Sequence, residues 1–201
     1  MATVCLLATA VPILAQSPPT AVGQSQSQDE SSAEEYRAKA ALLFAFAKFV
    51  QWPNEAFAHV DSCSMARCDV AHLSTPIVFA VIGNPNMFDA LRGLTNKRIH
   101  GRPLEVIELA GPGSSHLYQL LYCDREIIET FDRERPEQLA ERHVLTIGED
   151  EGFAETGGVL RLLLIDDHLG FEINATAARR GKLSLGSSLY KLAHAIFEQT
   201  D

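Results

Sequence analysis

Positive charge is scarce in this chain of 201 residues. Its 17 Lys and Arg side chains face 26 Asp and Glu, which gives a formal net charge of −9. Proteins that bind nucleic acids present a basic face to the phosphates. The strongest basic cluster, Arg179, Arg180 and Lys182, is typical of a solvated helix end, where cations are favoured. We therefore expect no nucleic-acid partner.

Long hydrophobic runs are also lacking. Val4–Ala15 is short and contains a proline, and Leu42–Val50 is interrupted by Lys48, so neither is long enough to span a bilayer. The first 23 residues carry no charged side chain, and Val4–Ala15 resembles the apolar core of a secretory signal without its usual basic leader. We interpret residues 1–23 as a signal peptide and expect an exported, periplasmic chain with no direct membrane insertion.

Cysteine is sparse, with four residues. Cys5 lies in the expected signal peptide. Cys63 and Cys68 are close enough in sequence for a local disulfide in an oxidising compartment, whereas zinc-site spacing to a second Cys/His pair is missing. Cys123 is left as a buried free thiol or as an alternative partner of Cys63 or Cys68, and the sequence leaves the connectivity open.

Familiar catalytic motifs are missing too. Gly157-Gly158 has no phosphate-loop or dinucleotide pattern around it, and a tight turn is the simpler interpretation. The acidic stretch 149–158 lacks the spacing of a calcium loop. A nucleophile and base could be sought in Cys123 with His116 or His143, but a structural cysteine is favoured. We expect no enzymatic activity, no cofactor and no metal site.

The sequence before Pro53 predicts a leader followed by a helix. Residues 24–30 belong to a Gln- and Ser-rich stretch that predicts a flexible leader, and the folded domain is expected over 31–201. Ser31 and Ser32 each begin a capping box. The three- and four-residue spacing of apolar positions predicts a buried helix to about Gln51, which Pro53 ends.

The rest of the chain alternates strand and helix patterns. Strands are predicted over Pro76–Ile82, Pro103–Leu109 and His143–Ile147, with a hairpin of Val159–Ile165 and Leu169–Ile173. Helices are predicted from Asn84-Pro85 to about Leu91 and over Arg135–Arg142, Ala175–Arg180 and Ser187–Glu198. Between Ser114 and Phe131 we expect a helical turn around Leu120 and a short strand at Ile127-Ile128. This order predicts an α/β fold, a single domain with a mixed β-sheet flanked by helices on both faces.

Three residues are candidates for a ligand site or an interface. Trp52 is either an interface anchor, a role in which Trp is enriched, or a cover for the edge of the core. Glu172 and Asn174 share one face of a strand, opposite Phe171 and Ile173. They could line a small-ligand pocket, or Asn174 could cap the following helix.

Several segments in order resemble the YfiR family over about residues 34–198. Tyr36–Ala40 leads to Phe46–Pro53, which is similar to the family's first helix with its aromatic-Trp-Pro ending. Val81–Gly83, Val144–Glu149 and Phe171–Asn174 resemble later family segments.

The resemblance implies a periplasmic homodimer that represses an inner-membrane diguanylate cyclase by docking on its periplasmic sensing part, so lowering cyclic-di-GMP and biofilm formation. It also implies an outer-membrane lipoprotein as a further partner and disulfides that tune repression. Cys123 matches a family cysteine, but Ala80 stands near the place of its usual partner, which Cys63 and Cys68 could replace. The alternative is a periplasmic small-ligand sensor without a cyclase partner.

Overall fold

A curled mixed sheet forms the centre of the molecule. The computed structural model describes residues 23–57, 75–110, 116–124, 135–166 and 168–198. In these residues the helices are α1 (Gly23–Phe49), α2 (Pro85–Arg92), α3 (Arg135–Glu141), α4 (Ala175–Arg180) and α5 (Ser187–Leu192), with a 3-10 turn at Asn54–Phe57. The strands are β1 (Val50–Gln51), β2 (Ile77–Ile82), β3 (Arg98–Ile99), β4 (Arg102–Leu109), β5 (Leu120–Cys123), β6 (Leu145–Gly148), β7 (Leu160–Ile165), β8 (His168–Asn174), β9 (Ser184–Leu185) and β10 (Ala195–Phe197).

Eight of the described strands form one sheet in the order β10-β8-β7-β6-β5-β2-β4-β3, and β1 pairs with β9 separately. Strands β4, β2, β5, β6 and β7 are parallel, whereas β8 is antiparallel to β7 and β3 to β4. The chain leaves β2 for β4 on one side and later returns to β5 on the other. The strand order therefore reverses between β2 and β5, a place where open α/β sheets form a crevice at the carboxyl ends of their strands.

Both faces of the sheet are buried, because successive side chains of a strand point to opposite faces. Phe79 and Val81 of β2 pack in a core cluster with Leu43 and Phe46 of α1. Ala80 and Ile82 of β2, Cys123 of β5 and Leu139 of α3 pack in a second cluster. The predicted α/β fold with a mixed sheet and helices on both faces is confirmed.

The predicted hairpin is confirmed, since β7 and β8 pair antiparallel from Leu160↔Ile173 to Ile165↔His168. The predicted opening of α2 is confirmed as well. Asn84 is the N-cap, Pro85 occupies the first turn, and the Met87 backbone N–H donates to Asn84 Oδ1 at 2.8 Å.

The ends of the first helix differ from the prediction. α1 begins at Gly23 rather than at Ser31, so the backbone of residues 24–30, predicted to be a flexible leader, is helical. It ends at Phe49 rather than near Gln51, because Val50 and Gln51 form β1 and pair with Leu185 and Ser184. Capping boxes mark possible helix starts, and a helix can continue through them.

Two further predictions were wrong. The helical turn expected around Leu120 is instead β5, paired with β2 on one side and β6 on the other. A short apolar run fits either state, and the two neighbouring strands decide it. The helix expected over Ser187–Glu198 ends at Leu192, and Ala195–Phe197 pairs with β8 as β10. The predicted strand at Ile127-Ile128 lies outside the described residues.

Candidate functional site

Polar residues stand just beyond the carboxyl ends of three central strands: Asn84 after β2, Asp124 after β5 and Glu149 after β6. Asn84 Nδ2 donates to Asp124 Oδ2 at 2.6 Å and to the Tyr36 hydroxyl at 3.2 Å. The Asn84–Asp124 hydrogen bond therefore crosses the point where the strand order reverses. Such points commonly hold the ligands of open α/β sheets.

Helix α1 covers this edge with a buried cation. Lys39 Nζ lies 2.8 Å from Glu149 Oε2 and 2.6 Å from Glu35 Oε1. The Lys39 side chain is only 7% exposed. Burial lowers the pKa of Lys39, but the hydrogen bonds to Glu149 and Glu35 outweigh it, so the pKa is raised above its usual value. Lys39 is therefore a permanent cation that ties α1 to the sheet.

The second oxygen of Glu149 is also held. The Tyr122 hydroxyl of β5 donates to Glu149 Oε1 at 2.6 Å. Burial, followed by the charge of Glu149, raises the pKa of Tyr122 well above its usual value. Tyr122 thus stays a neutral donor, and the carboxylate of Glu149 is positioned by partners on two elements.

Two glycines near this carboxylate, Gly148 and Gly158, leave room for the ring of Phe153. A Cβ on Gly148 would lie 2.7 Å from the Phe153 ring, and one on Gly158 would overlap the same ring. Gly157 adopts a φ of 111°, a region that favours glycine. Phe153 is buried between Gly148 and Gly158. The positive φ of Gly157 supports the interpretation of Gly157-Gly158 as a turn.

A cavity of about 570 Å³ opens next to the charged groups. Its lining consists of Glu35, Tyr36, Lys39, Asp124, Glu149, Arg161, Leu162, Leu163, Leu164 and Leu169. Its volume is within the range of small-molecule sites, about 300–1,000 Å³. In the cavity wall, Arg161 Nη1 donates to Glu172 Oε2 at 3.1 Å, while Arg161 Nε is buried without a hydrogen-bond partner among the described residues.

Of the residues predicted for a ligand site, Glu172 lies behind the cavity wall and reaches it through Arg161. Asn174 is the N-cap of α4, as its position predicted: the Ala177 backbone N–H donates to its Oδ1 at 2.8 Å, and its Nδ2 donates to the Ala154 carbonyl. Both polar ends of Asn174 are thus engaged within the fold.

Trp52 lies at the opposite end of β5. Its indole Nε1 donates to the carbonyl of Gln119, which precedes β5, at 3.1 Å, and its ring packs against the core. Gln119 is itself buried, accepting from the Val78 N–H at 2.9 Å and donating to the Ala56 carbonyl at 2.8 Å. This arrangement favours a structural role, and an interface role for Trp52 stays a prediction.

Cys123 is a buried free thiol. Burial and the charge of Asp150 raise its pKa to about 12, so at neutral pH it is protonated and a poor nucleophile. It faces the same core cluster as Ala80, although its direct neighbour in register is Ile82. Cys63 and Cys68 lie outside the described residues.

Sequence reasoning missed Lys39, Tyr122 and Arg161. The four-residue spacing of Glu35 and Lys39 predicts a helical ion pair, but nothing local connects either to Glu149.

No group of three or more His, Cys, Asp or Glu side chains in the described ranges could hold a metal ion. In the same ranges no helix has the length and apolar character needed to cross a membrane.

The fold and the crevice define an α/β domain with a ligand-sized polar cavity. A family model described as YfiR/HmsC-like matches residues 36–194. The chain belongs to this family, whose members are periplasmic regulators of diguanylate cyclase signalling.

One solved structure similar to the chain is a conserved domain protein from Vibrio cholerae O1 biovar El Tor, at 12% identity and a TM-score of 0.45. The alignment covers 60% of this chain and 54% of that one, so the chain spans about half the length of that structure. The comparison with curated proteins finds no match.

Proposed function

We propose that this chain is exported to the periplasm and represses an inner-membrane diguanylate cyclase by docking on its periplasmic sensing part. The observation that carries the proposal is the family match over residues 36–194, which spans all five central parallel strands. Repression lowers the output of cyclic-di-GMP. The regulatory character of the family supports a protein that acts by binding rather than by catalysis.

The mechanism is a shift of populations in the cyclase. A repressor that binds the inactive state more tightly than the active state moves the equilibrium toward the inactive state. The size of the effect is limited by the difference between the two affinities. Anything that changes the shape of the docking surface, or covers it, releases the enzyme.

Exposed apolar side chains near the C-terminal end of the described chain support docking there. Leu192 is 72% exposed, and Phe49 and Ile196 are each 46% exposed. Their elements adjoin, because the Gly186 N–H before α5 donates to the Phe49 carbonyl at 2.8 Å. Ile196 lies on β10, one of the two edge strands of the sheet. We expect the sensing part of the cyclase to contact these side chains.

A pull-down of the purified chain with the cyclase's periplasmic segment, with and without reductant, tests the proposal. Leu192→Asp should weaken capture at least tenfold, whereas Leu117→Asp, at a side chain 38% exposed before β5, should leave it unchanged. Sedimentation of each variant shows whether a homodimer is lost, which separates that effect from a loss of binding to the cyclase. An outer-membrane lipoprotein can be added as a second bait. Failure to bind the cyclase in either redox state would refute the proposal.

A second candidate function is a periplasmic small-ligand sensor without a cyclase partner. The cavity beside Lys39 and Arg161 favours it. Saturable binding of a small molecule by a chain that captures no membrane sensor would support this alternative over the first.

A further inference from the structure

We infer that the edge strand β10 pairs with β10 of a second copy of this chain, antiparallel and with a two-fold axis beside Ile196. The inference concerns association of the chain with itself and does not depend on docking to a cyclase. It rests on the open side of β10, on the difference between the two sheet edges and on the order of the side chains around Ile196.

The outer side of β10 is open. β10 pairs in parallel with β8 on one side, with Ile196 next to Ile173, and no strand among the described residues pairs with its other side. The backbone N–H and C=O groups on that side therefore lack a strand partner. Such an edge is a template on which another strand can pair.

The opposite edge of the sheet is protected against this kind of pairing. There β3 covers the start of β4, and the rest of β4 carries two exposed acidic side chains, Glu105 and Glu108. Charged side chains on an edge strand hinder pairing with another strand. Ala195–Phe197 of β10 carries no charge, so β10 is the edge suited to accept a strand.

The side chains around Ile196 are ordered so that the strand complements itself. His194, Ile196 and Glu198 are exposed. Ala195 and Phe197 between them are partly buried, as the alternation of a strand requires. In an antiparallel pair with Ile196 opposite Ile196 of the second copy, His194 of each copy lies opposite Glu198 of the other.

This arrangement commits the edge to a second copy rather than to an unrelated strand. An apolar pair at the centre is flanked on both sides by an imidazole opposite a carboxylate, and cross-strand pairs of both kinds stabilise a sheet. The order His, apolar, Glu is its own complement when it is reversed. A two-fold interface uses the same patch on both subunits and requires self-complementarity of this kind.

The side chains concerned are accessible to a second copy. Ile196 is 46% exposed, and the side chain of Glu198 is 63% exposed. Glu198 contacts Arg179 of its own chain, with 3.5 Å between Nη1 and Oε1. That distance is long for a hydrogen bond, and an exposed ion pair holds a carboxylate weakly.

Ile196 is also among the side chains expected to contact the cyclase. Self-association and docking would therefore exclude each other at this edge, a consequence that rests on the proposed function. The association itself involves this chain alone.

Sedimentation velocity of the full chain over a range of concentrations tests the inference. The parent chain should dimerise with a Kd below about 100 μM. Ile196→Lys and Ile196→Glu each place two like charges opposite each other at the axis, so each variant alone should have a Kd at least about tenfold weaker. Leu164→Glu, at a side chain 62% exposed on the interior strand β7, should leave the Kd within about twofold.

A mixture of the two Ile196 variants keeps the test independent of folding. It places opposite charges at the axis and should restore the dimer to within about threefold of the parent Kd. A parent Kd above about 100 μM, a dimer that neither Ile196 variant weakens, or a mixture no stronger than either variant alone would overturn the inference.

A charge exchange tests the register. His194→Glu places a carboxylate opposite Glu198 of the second copy and should weaken the dimer about tenfold. The double variant His194→Glu/Glu198→His reverses the order and should recover the parent Kd, whereas Arg179→Gln removes only the contact within one chain and should leave it within about twofold. A double variant as weak as His194→Glu alone would contradict the pairing. The test needs no cyclase, so its failure is separate from any failure to dock.

Discussion

Lys39 of α1 and Glu149 beyond β6 are joined by an ion pair of 2.8 Å between Nζ and Oε2, although they are 110 positions apart in the chain. The pair holds the first helix over the carboxyl edge of the parallel strands. Because Tyr122 holds the other oxygen of Glu149, the same carboxylate links α1, β5 and the loop after β6. The integrity of the cavity therefore depends on this group.

Replacing Lys39 with Met should reduce the free energy of unfolding by about 3 kcal/mol, because it leaves the largely buried Glu149 without its cation. Denaturant titration measures the loss. The matched control is Lys48→Met on the same helix, where the lysine is exposed and the expected change is within about 0.5 kcal/mol.

The double variant Lys39→Met/Glu149→Leu should recover part of the loss from Lys39→Met, since removing both charges of a buried pair costs less than removing one. If the double variant is less stable than Lys39→Met alone, the ion pair is not the main interaction at this position.

Asn84 combines a helix cap with a bridge across the strand-order reversal. Asn84→Ala should cost about 2 kcal/mol through the lost cap and the lost hydrogen bond to Asp124. Asn84→Asp keeps an acceptor for the Met87 N–H but places a second carboxylate beside Asp124, so repulsion between the two like charges should make it less stable than the parent chain. Added salt screens such repulsion and should recover part of the loss, which thermal melts at low and high salt measure. Equal salt responses of Asn84→Asp and the parent chain would argue against close contact with Asp124.

The raised pKa of the Cys123 thiol should make the stability of the chain change at alkaline pH. Its pKa in the folded chain is about 12, above the ordinary value of 9.0. The folded state therefore holds the thiol proton more tightly than the unfolded state does, and this difference stabilises the fold. The stabilisation is complete below about pH 9. It is lost as the pH rises toward 12, at up to about 1.4 kcal/mol per pH unit.

Cys123→Ala should be less stable at pH 8, because it loses buried packing, and its stability should fall less steeply above pH 9. The raised pKa values of Tyr122 and Lys39 act in the same direction in both proteins, so the difference between the two curves isolates the thiol. Parallel curves from pH 8 to 11 would show that Cys123 does not titrate as described.

Trp52→Phe removes the indole N–H that donates to Gln119 and keeps an aromatic ring against the core. We expect a loss of about 1 kcal/mol in unfolding free energy and unchanged capture of the cyclase segment. Reduced capture at unchanged stability would instead assign Trp52 to the interface.

The predicted disulfide is tested by peptide mapping of chain exported to an oxidising compartment. Digestion without reductant should give a linked peptide pair containing Cys63 and Cys68, with Cys123 recovered as a thiol. Alkylation of Cys123 before and after unfolding should show protection in the native chain, as its burial requires. A link from Cys123 to either of the other two would contradict both expectations.

Much of the fold could be predicted from local patterns. The cap at Asn84 with Pro85, the β7–β8 hairpin and the cap at Asn174 all depend on residues within a few positions of each other, and each is present. β5 and β10 could not be identified in this way. Leu120–Cys123 is apolar throughout, and Ala195–Phe197 continues the spacing of a helix, so pairing with distant strands decided both.

The sequence by itself determined the alternation of strands and helices, the two-sided burial of the central strands and the family, because these depend on the order and spacing of apolar residues along the chain. The tertiary structure alone decided the cavity. Glu35, Asp124, Glu149 and Arg161 belong to four separate segments. Asp124 and Glu149 meet because β5 and β6 are parallel and end at one edge, Arg161 joins them because the start of β7 pairs with the end of β6, and α1 crosses above them with Glu35. Charges so far apart in sequence become neighbours through strand order, which no local pattern encodes.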